Sequence, residues 1–208
     1  MGVFYFYQMM KGRMKMNNNV KLTGTIATEF SHHHSLYGEG FYTVTLAVNR
    51  ASGAVDLIPL MISDRLINTN EDMTGACVCV NGEFRSYNQH DADKTRLVLH
   101  VFVHDIEVLD AGKDANDINL EGYICKQPTY RQTPLGRQIS DVMLAVNRAY
   151  GKTDYVPCIL WGRNAFYASS LGVGDLVRIS GRIQSREYMK DDAVKTAYEV
   201  SARQLELC

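Results

Sequence analysis

No stretch of the sequence approaches the roughly 18 consecutive apolar residues that a membrane-crossing helix needs. The apolar opening Val3-Phe4-Tyr5-Phe6-Tyr7 is short, and no small-residue cleavage site follows it, so a secretory leader is not expected. The five cysteines (Cys77, Cys79, Cys125, Cys158 and Cys208) are odd in number and fit no zinc spacing. Cys77 and Cys79 stand two apart, as suits one face of a strand, and reduced thiols in a cytosolic protein are the expectation. Also missing are a glycine-rich phosphate loop, a nucleophile motif and a carboxylate pair at catalytic spacing. No enzyme is expected, and no cofactor. His32-His33-His34 has neither a cysteine nor an acidic cluster at ligand spacing beside it, so no metal is assigned there. What remains is an ordinary globular composition, 46% hydrophobic and 22% charged over 208 residues.

The chain repeats itself. Leu46-Ala47-Val48-Asn49-Arg50-Ala51 recurs as Leu144-Ala145-Val146-Asn147-Arg148-Ala149, an offset of 98. The same offset pairs Leu22 with Leu120, Gly24 with Gly122, Asp56 with Asp154, Pro59 with Pro157 and Arg65 with Arg163. One inserted residue then brings Gly82 onto Gly181 and Glu107 onto Glu206. A register held so long marks two copies of one unit, spanning 17–112 and 116–208, joined near Ala111-Gly112-Lys113-Asp114. Residues 1–16 read as a poorly ordered N-terminal extension, with Met14 and Met16 just before the first regular segment.

Each unit reads as strands. Val142, Leu144 and Val146 alternate with Met143, Ala145 and Asn147, and Val44, Leu46 and Val48 do the same in the first copy. A helix is expected from Asn164 to Leu171, capped by Asn164 and ended by Gly172. Five strands with a short helix between the third and fourth is the plan of the OB barrel, a five-stranded Greek key. The expectation is therefore an all-β chain of two tandem barrels, each with such a helix. Pro59 and Pro157 remove a ladder donor, so their strands should be bulged or locally at an edge.

Strand parity sorts the faces. Val156, Cys158 and Leu160 form an apolar set; Tyr155, Pro157, Ile159 and Trp161 face the other way. In the following strand Arg178, Arg182, Arg186 and Tyr188 share the even positions, opposite Val177, Ile179 and Ile183. Tyr150 occupies the turn between two strands. Rings interleaved with arginines suit a single nucleic-acid strand, because bases stack on rings while cations follow phosphates. The same rings also fit a second small core or an assembly seam.

In that order and spacing the second half resembles the bacterial single-stranded DNA-binding (SSB) protein family. The residues carrying the resemblance are Leu120-Glu121-Gly122-Tyr123 through Gly136, Leu144 to Tyr150, Asp154-Tyr155 through Trp161-Gly162-Arg163, and Gly174 through Tyr188. The resemblance implies single-stranded DNA binding in replication, recombination or repair, without sequence preference. It places the four base-stacking positions on Tyr150, Tyr155, Trp161 and Tyr188. Arg148, Lys152, Arg163, Arg178, Arg182 and Arg186 are then the expected phosphate contacts, although Arg163 also suits a helix start. Family members commonly assemble four barrels, so two per chain imply a homodimer. A cytoplasmic, nucleoid-associated protein with no membrane contact follows. The family's acidic C-terminal tip is not matched, because the sequence stops at Cys208, and recruitment of repair or replication proteins through it is not expected. A primosome-like accessory protein and an RNA-binding OB protein are the other readings.

The two copies differ. Tyr150, Tyr155 and Trp161 correspond to Ser52, Leu57 and Ser63; Arg178, Arg182 and Tyr188 correspond to Cys79, Glu83 and Gln89. Residues 118–208 carry 12 Lys and Arg against 9 Asp and Glu, whereas residues 17–117 carry 7 against 14. An acidic unit without stacking rings should repel phosphates. The first copy is therefore expected to be structural or partner-binding, and the second to hold DNA.

Overall fold

The computed structural model describes residues 17–91, 94–190 and 192–208. The proposed extension 1–16 lies outside the described residues. Period-two burial produces an all-β molecule. Strands β1 (Asn18–Ile26), β2 (Ser31–Leu36), β3 (Glu39–Asn49), β4 (Val55–Ser63), β5 (Cys77–Asp91) and β6 (Lys94–Leu109) make the first half. The second half contains β7 (Ala115–Ile124), β8 (Thr129–Gln132), β9 (Gln138–Asn147), β10 (Thr153–Trp161), helix α1 (Arg163–Ala168), β11 (Leu176–Lys190) and β12 (Ala193–Leu207).

Five strands of each half close into a ring, in the order β1-β3-β4-β6-β5 and β7-β9-β10-β12-β11. This is the strand order of an OB barrel. In each ring the third and last strands pair in parallel over only two residues, Leu60–Val101 with Met61–Phe102, and Cys158–Val200 with Ile159–Ser201. The fully exposed short strands β2 and β8 add to the outer edges of β3 and β9. Closure demands a glycine where β1 bends over β3: a Cβ on Gly24 would lie 2.3 Å from the Ala47 carbonyl oxygen, and Gly122 meets Ala145 in the same way. Inside the rings sit the alternating apolar residues, among them Leu22, Leu46 and Phe84 in one, and Leu120, Leu144 and Ile183 in the other.

β1 and β7 join the halves as an antiparallel pair centred on Val20–Ile118. Asn18 faces Leu120 and Leu22 faces Asn116, so exchanging each residue for its counterpart 98 positions away returns the same pairing. The contact is thus pseudo-two-fold. Asn18 makes two hydrogen bonds with the Phe84 backbone, at 2.8 and 2.9 Å, and its counterpart Asn116 does the same with Ile183, at 2.7 and 2.8 Å.

Three expectations are corrected. Among the described residues the first half has no helix between β4 and β5. Asn68 and Asp72 accept N–H bonds from Asn70 and Thr74, side-chain-to-backbone turns that compete with helical bonding. In the second half α1 starts at Arg163 with Gly162 as its cap, and the Asn164 amide instead donates to the Arg203 carbonyl at 2.9 Å. The helix ends at Ala168 rather than Leu171, where Ser169 and Ser170 hydroxyls donate back to Phe166 and Tyr167 carbonyls.

Pro157 sits at a locally open edge without a bulge, since β10 runs in unbroken register along β9. The Tyr155 N–H points away from β9, to the Ser86 hydroxyl at 2.8 Å. Pro157 shares that parity, so its missing N–H costs the ladder nothing.

Candidate nucleic-acid interface

Strand β10 positions the rings. Asp154, Val156, Cys158 and Leu160 are buried, while Tyr155 and Trp161 are exposed and Pro157 half-buried on the other face. Three clefts follow one another along that face. The first holds Tyr155 with Arg148 and Lys152; the second, of about 470 Å³, holds Pro157 and Tyr188; the third holds Ile159, Trp161 and Arg186. From Tyr155 to Trp161 the strand rises about 20 Å, enough for several unstacked bases. The Trp161 indole N–H donates to Ser201 Oγ at 3.2 Å, which fixes the ring plane and leaves part of its surface open. The Arg186 guanidinium stands 5.9 Å from the Tyr188 ring. Tyr150 is fully exposed at the β9–β10 turn, with a left-handed φ of 61°.

The candidate cations divide. Lys152 and Arg163 are exposed, and Arg186 is exposed with Glu199 at 4.0 Å. Arg148, Arg178 and Arg182 are held by carboxylates. Arg148 lies 2.8 Å from the buried Asp154. Arg178 reaches Glu121 at 2.7 Å and Glu206 at 3.7 Å, which raises its pKa further. Arg182 reaches across to Asp56 of the first half at 3.3 Å, and burial beside Arg50 lowers its pKa. Parity placed these arginines on an outward face; it carries no information about the carboxylates that neighbouring strands and the other half bring to them.

The residues that sequence reading missed lie between the halves. Asp154 accepts the Ser86 backbone N–H at 2.7 Å, and Asp56 accepts that of Ser185 at 2.8 Å. The two serine hydroxyls in turn accept the Tyr155 and Leu57 N–H groups. Burial pushes the Asp154 carboxyl up, against the pull of the Ser86 N–H and Arg148. Ser86 and Ser185 are themselves counterparts, one residue beyond the offset of 98, and that signal was available.

In the first half rings pack beside the counterpart of Trp161. Ser63 stands for Trp161 and lies opposite Phe41, where His34 stacks on Phe41 at 4.9 Å, Phe41 meets Phe102 at 5.9 Å, and Arg85 lies 3.8 Å over Phe102. Glu83 bonds His104 and Arg85, which hold its carboxyl down to about 2. Among the described residues no group of three or more His, Cys, Asp or Glu is placed to hold a metal ion, and no helix is long and apolar enough to cross a membrane.

The model of the single-strand binding protein family matches residues 115–208. Single-stranded DNA-binding protein B of Bacillus subtilis is 37% identical, over 38% of this chain and 76% of its own length. A single-stranded DNA-binding protein of Clostridium acetobutylicum is 32% identical, over 44% and 69%. Others are spanned over about half their length, as with 49% for that of Bacillus cereus. The crystal structure of the wild-type single-stranded DNA binding protein from Thermus aquaticus superimposes with a TM-score of 0.76 at 21% identity, covering 92% of each chain, which shows the fold across both halves. On the second half's family match and its identity to relatives covered over most of their length, the chain belongs to the single-strand binding protein family.

Proposed function

We propose that this protein binds single-stranded DNA, without sequence preference and without chemistry, along the outward face of β10. The observation that carries the reading is the alignment of Tyr155, Pro157 and Trp161 on one strand face, opening into consecutive clefts that also hold Tyr188 and Arg186. Stacking on rings tolerates any base, because every base has a π-face. Tyr150 adds a ring from the turn, and Lys152, Arg163 and Arg186, the last with Glu199 no nearer than 4.0 Å, are the exposed cations that meet phosphates. Arg148, Arg178 and Arg182 serve instead to hold the fold and the contact between halves.

The two halves, 17–112 and 116–208, are two copies of the family's barrel, preceded by the extension 1–16. Support comes from the offset of 98 and from paired structural residues such as Asn18 with Asn116. Two rings per chain make a homodimer the simplest route to four barrels. A role in replication, recombination or repair follows from this activity.

Titration with single-stranded DNA, duplex DNA and RNA, followed by Trp161 fluorescence, tests the reading. Tight binding and quenching by single-stranded DNA, with much weaker binding to duplex, is expected. Equal affinity for a duplex of the same length would overturn it, and preference for RNA would move the protein to another class.

A further inference from the structure

We infer that the acidic first half supplies one wall of the DNA groove, and that its Tyr87 and Arg96 contact the bound strand. The inference rests on the single-strand binding proposed above.

The reciprocal bonds between the halves lay the β5–β6 hairpin against the open edge of β10. With Ser86 fixed to Asp154 and Tyr155, the next residue, Tyr87, lines the cleft that holds Tyr155, Arg148 and Lys152. Leu97, across the hairpin, lines that cleft and the next one. Arg96 lines the second cleft, opposite Pro157 and Tyr188. Two of the three clefts along the stacking face are thus built from both halves. A strand following β10 past Tyr155 and Pro157 runs between the hairpin of one half and that of the other.

The chemistry of the wall suits such a strand. Tyr87 is part-exposed, and its ring is propped edge-on by His33 at 6.3 Å and tilted against His100 at 5.8 Å. It is an oriented ring with an open face. Arg96 differs from the other arginines of this half. Arg50, Arg65 and Arg85 each reach a carboxylate, of Asp56, Glu39 and Glu83. Arg96 is exposed and donates to a neutral acceptor, the Gln89 side-chain oxygen, at 3.3 Å. It therefore remains able to pair with a phosphate. Net charge alone hides this, since one cation at the cleft acts over a Debye length of about 10 Å whatever the far side carries.

The test uses the full chain and oligothymidylate, with anisotropy titrations over a range of salt. Tyr87→Ala should weaken binding about fivefold or more, the lower end for one lost stacked base. Arg96→Gln should weaken it several-fold and lower the slope of log affinity against log salt by about 0.7, one phosphate contact on a single strand. Lys21→Ala, a charge removed from the far β1–β7 region, should leave affinity and slope unchanged. If Trp161→Ala weakens binding but either Tyr87→Ala or Arg96→Gln keeps wild-type affinity, the shared wall is wrong and the stacking face stands. If Trp161→Ala is also without effect, the stacking face itself is wrong. Melting temperatures of the variants within a few degrees of wild type exclude misfolding as the cause, and Tyr87→Phe, which keeps the ring, should restore most of the lost affinity.

Discussion

The carboxylate of Asp154 in the second half accepts the backbone N–H of Ser86 in the first, at 2.7 Å, and is itself fully buried. The same bond runs the other way from Ser185 to Asp56. Each half therefore depends on the other for a buried hydrogen-bond partner. Replacing Asp154 with Ala strands the Ser86 N–H and leaves Arg148, itself only part-exposed, without its counter-charge. A loss of about 2–4 kcal/mol is expected, read as a fall in urea midpoint. Ser86→Ala removes only the acceptor for the Tyr155 N–H and should cost about 1 kcal/mol. If Asp154→Ala costs no more than Ser86→Ala, the inter-half contact is not a structural joint.

Trp161 separates the halves. Trp161→Ala should weaken single-stranded DNA binding by about 1–3 kcal/mol, measured by anisotropy because the variant has no tryptophan. Its counterpart Ser63→Ala should change affinity little, since Ser63 is buried and offers no ring to a base. A large loss from Ser63→Ala with none from Trp161→Ala would reverse the roles.

Salt dependence ranks the cations. Lys152→Ala and Arg186→Ala should each lower the salt slope by about 0.7. Arg178→Ala should barely change it, because Glu121 and Glu206 already pair with that guanidinium. An equal fall for all three would show that DNA breaks the Arg178 ion pairs.

These arginines also mark where the sequence stops being informative. Period-two alternation is local, and it placed the strands around Val44–Val48, Val142–Val146, Tyr155–Trp161 and Val177–Tyr188, with Tyr155 and Trp161 on the outward face. Ion pairs such as Arg182 with Asp56 join residues far apart in the chain, and alternation is blind to them. The missing helix of the first half shows a second limit. Arg65 matches Arg163 in the repeat, yet the asparagine and aspartate side chains that follow Arg65 bond backbone N–H groups and hold turns.

His100 makes stability depend on pH. It is buried, its Nδ1 has no hydrogen-bond partner among the described residues, and burial together with Arg85, His33, Arg148 and His34 lowers its pKa from 6.5 to about 4. Between those values the unfolded chain holds a proton that the folded chain does not. Its contribution is therefore fully present above pH 6.5 and is lost as pH falls toward 4, on the order of 2–3 kcal/mol. Glu83 acts in a lower window, below its ordinary value of 4.5 and down to about 2. Urea midpoints at pH 7, 5.5 and 4.5 should fall steeply for wild type and less for His100→Leu; parallel curves would discard His100 as the source.

Tyr150 sets binding against stability. Its side chain is fully exposed, so burial gives nothing back for holding a bulky residue at φ 61°. A non-glycine residue in that region costs about 1–2 kcal/mol, so Tyr150→Gly should raise stability by up to about 1 kcal/mol after glycine's own backbone entropy is counted. Tyr150 lies in the turn two residues before Lys152, which lines the first cleft. Its removal should weaken single-stranded DNA binding by about 1–3 kcal/mol if it stacks on a base. Opposite signs in the two measurements, a higher melting temperature and a weaker complex, would identify a ring kept for its ligand at the expense of the fold. Unchanged affinity with the higher melting temperature would remove Tyr150 from the binding face and end that face at Tyr155.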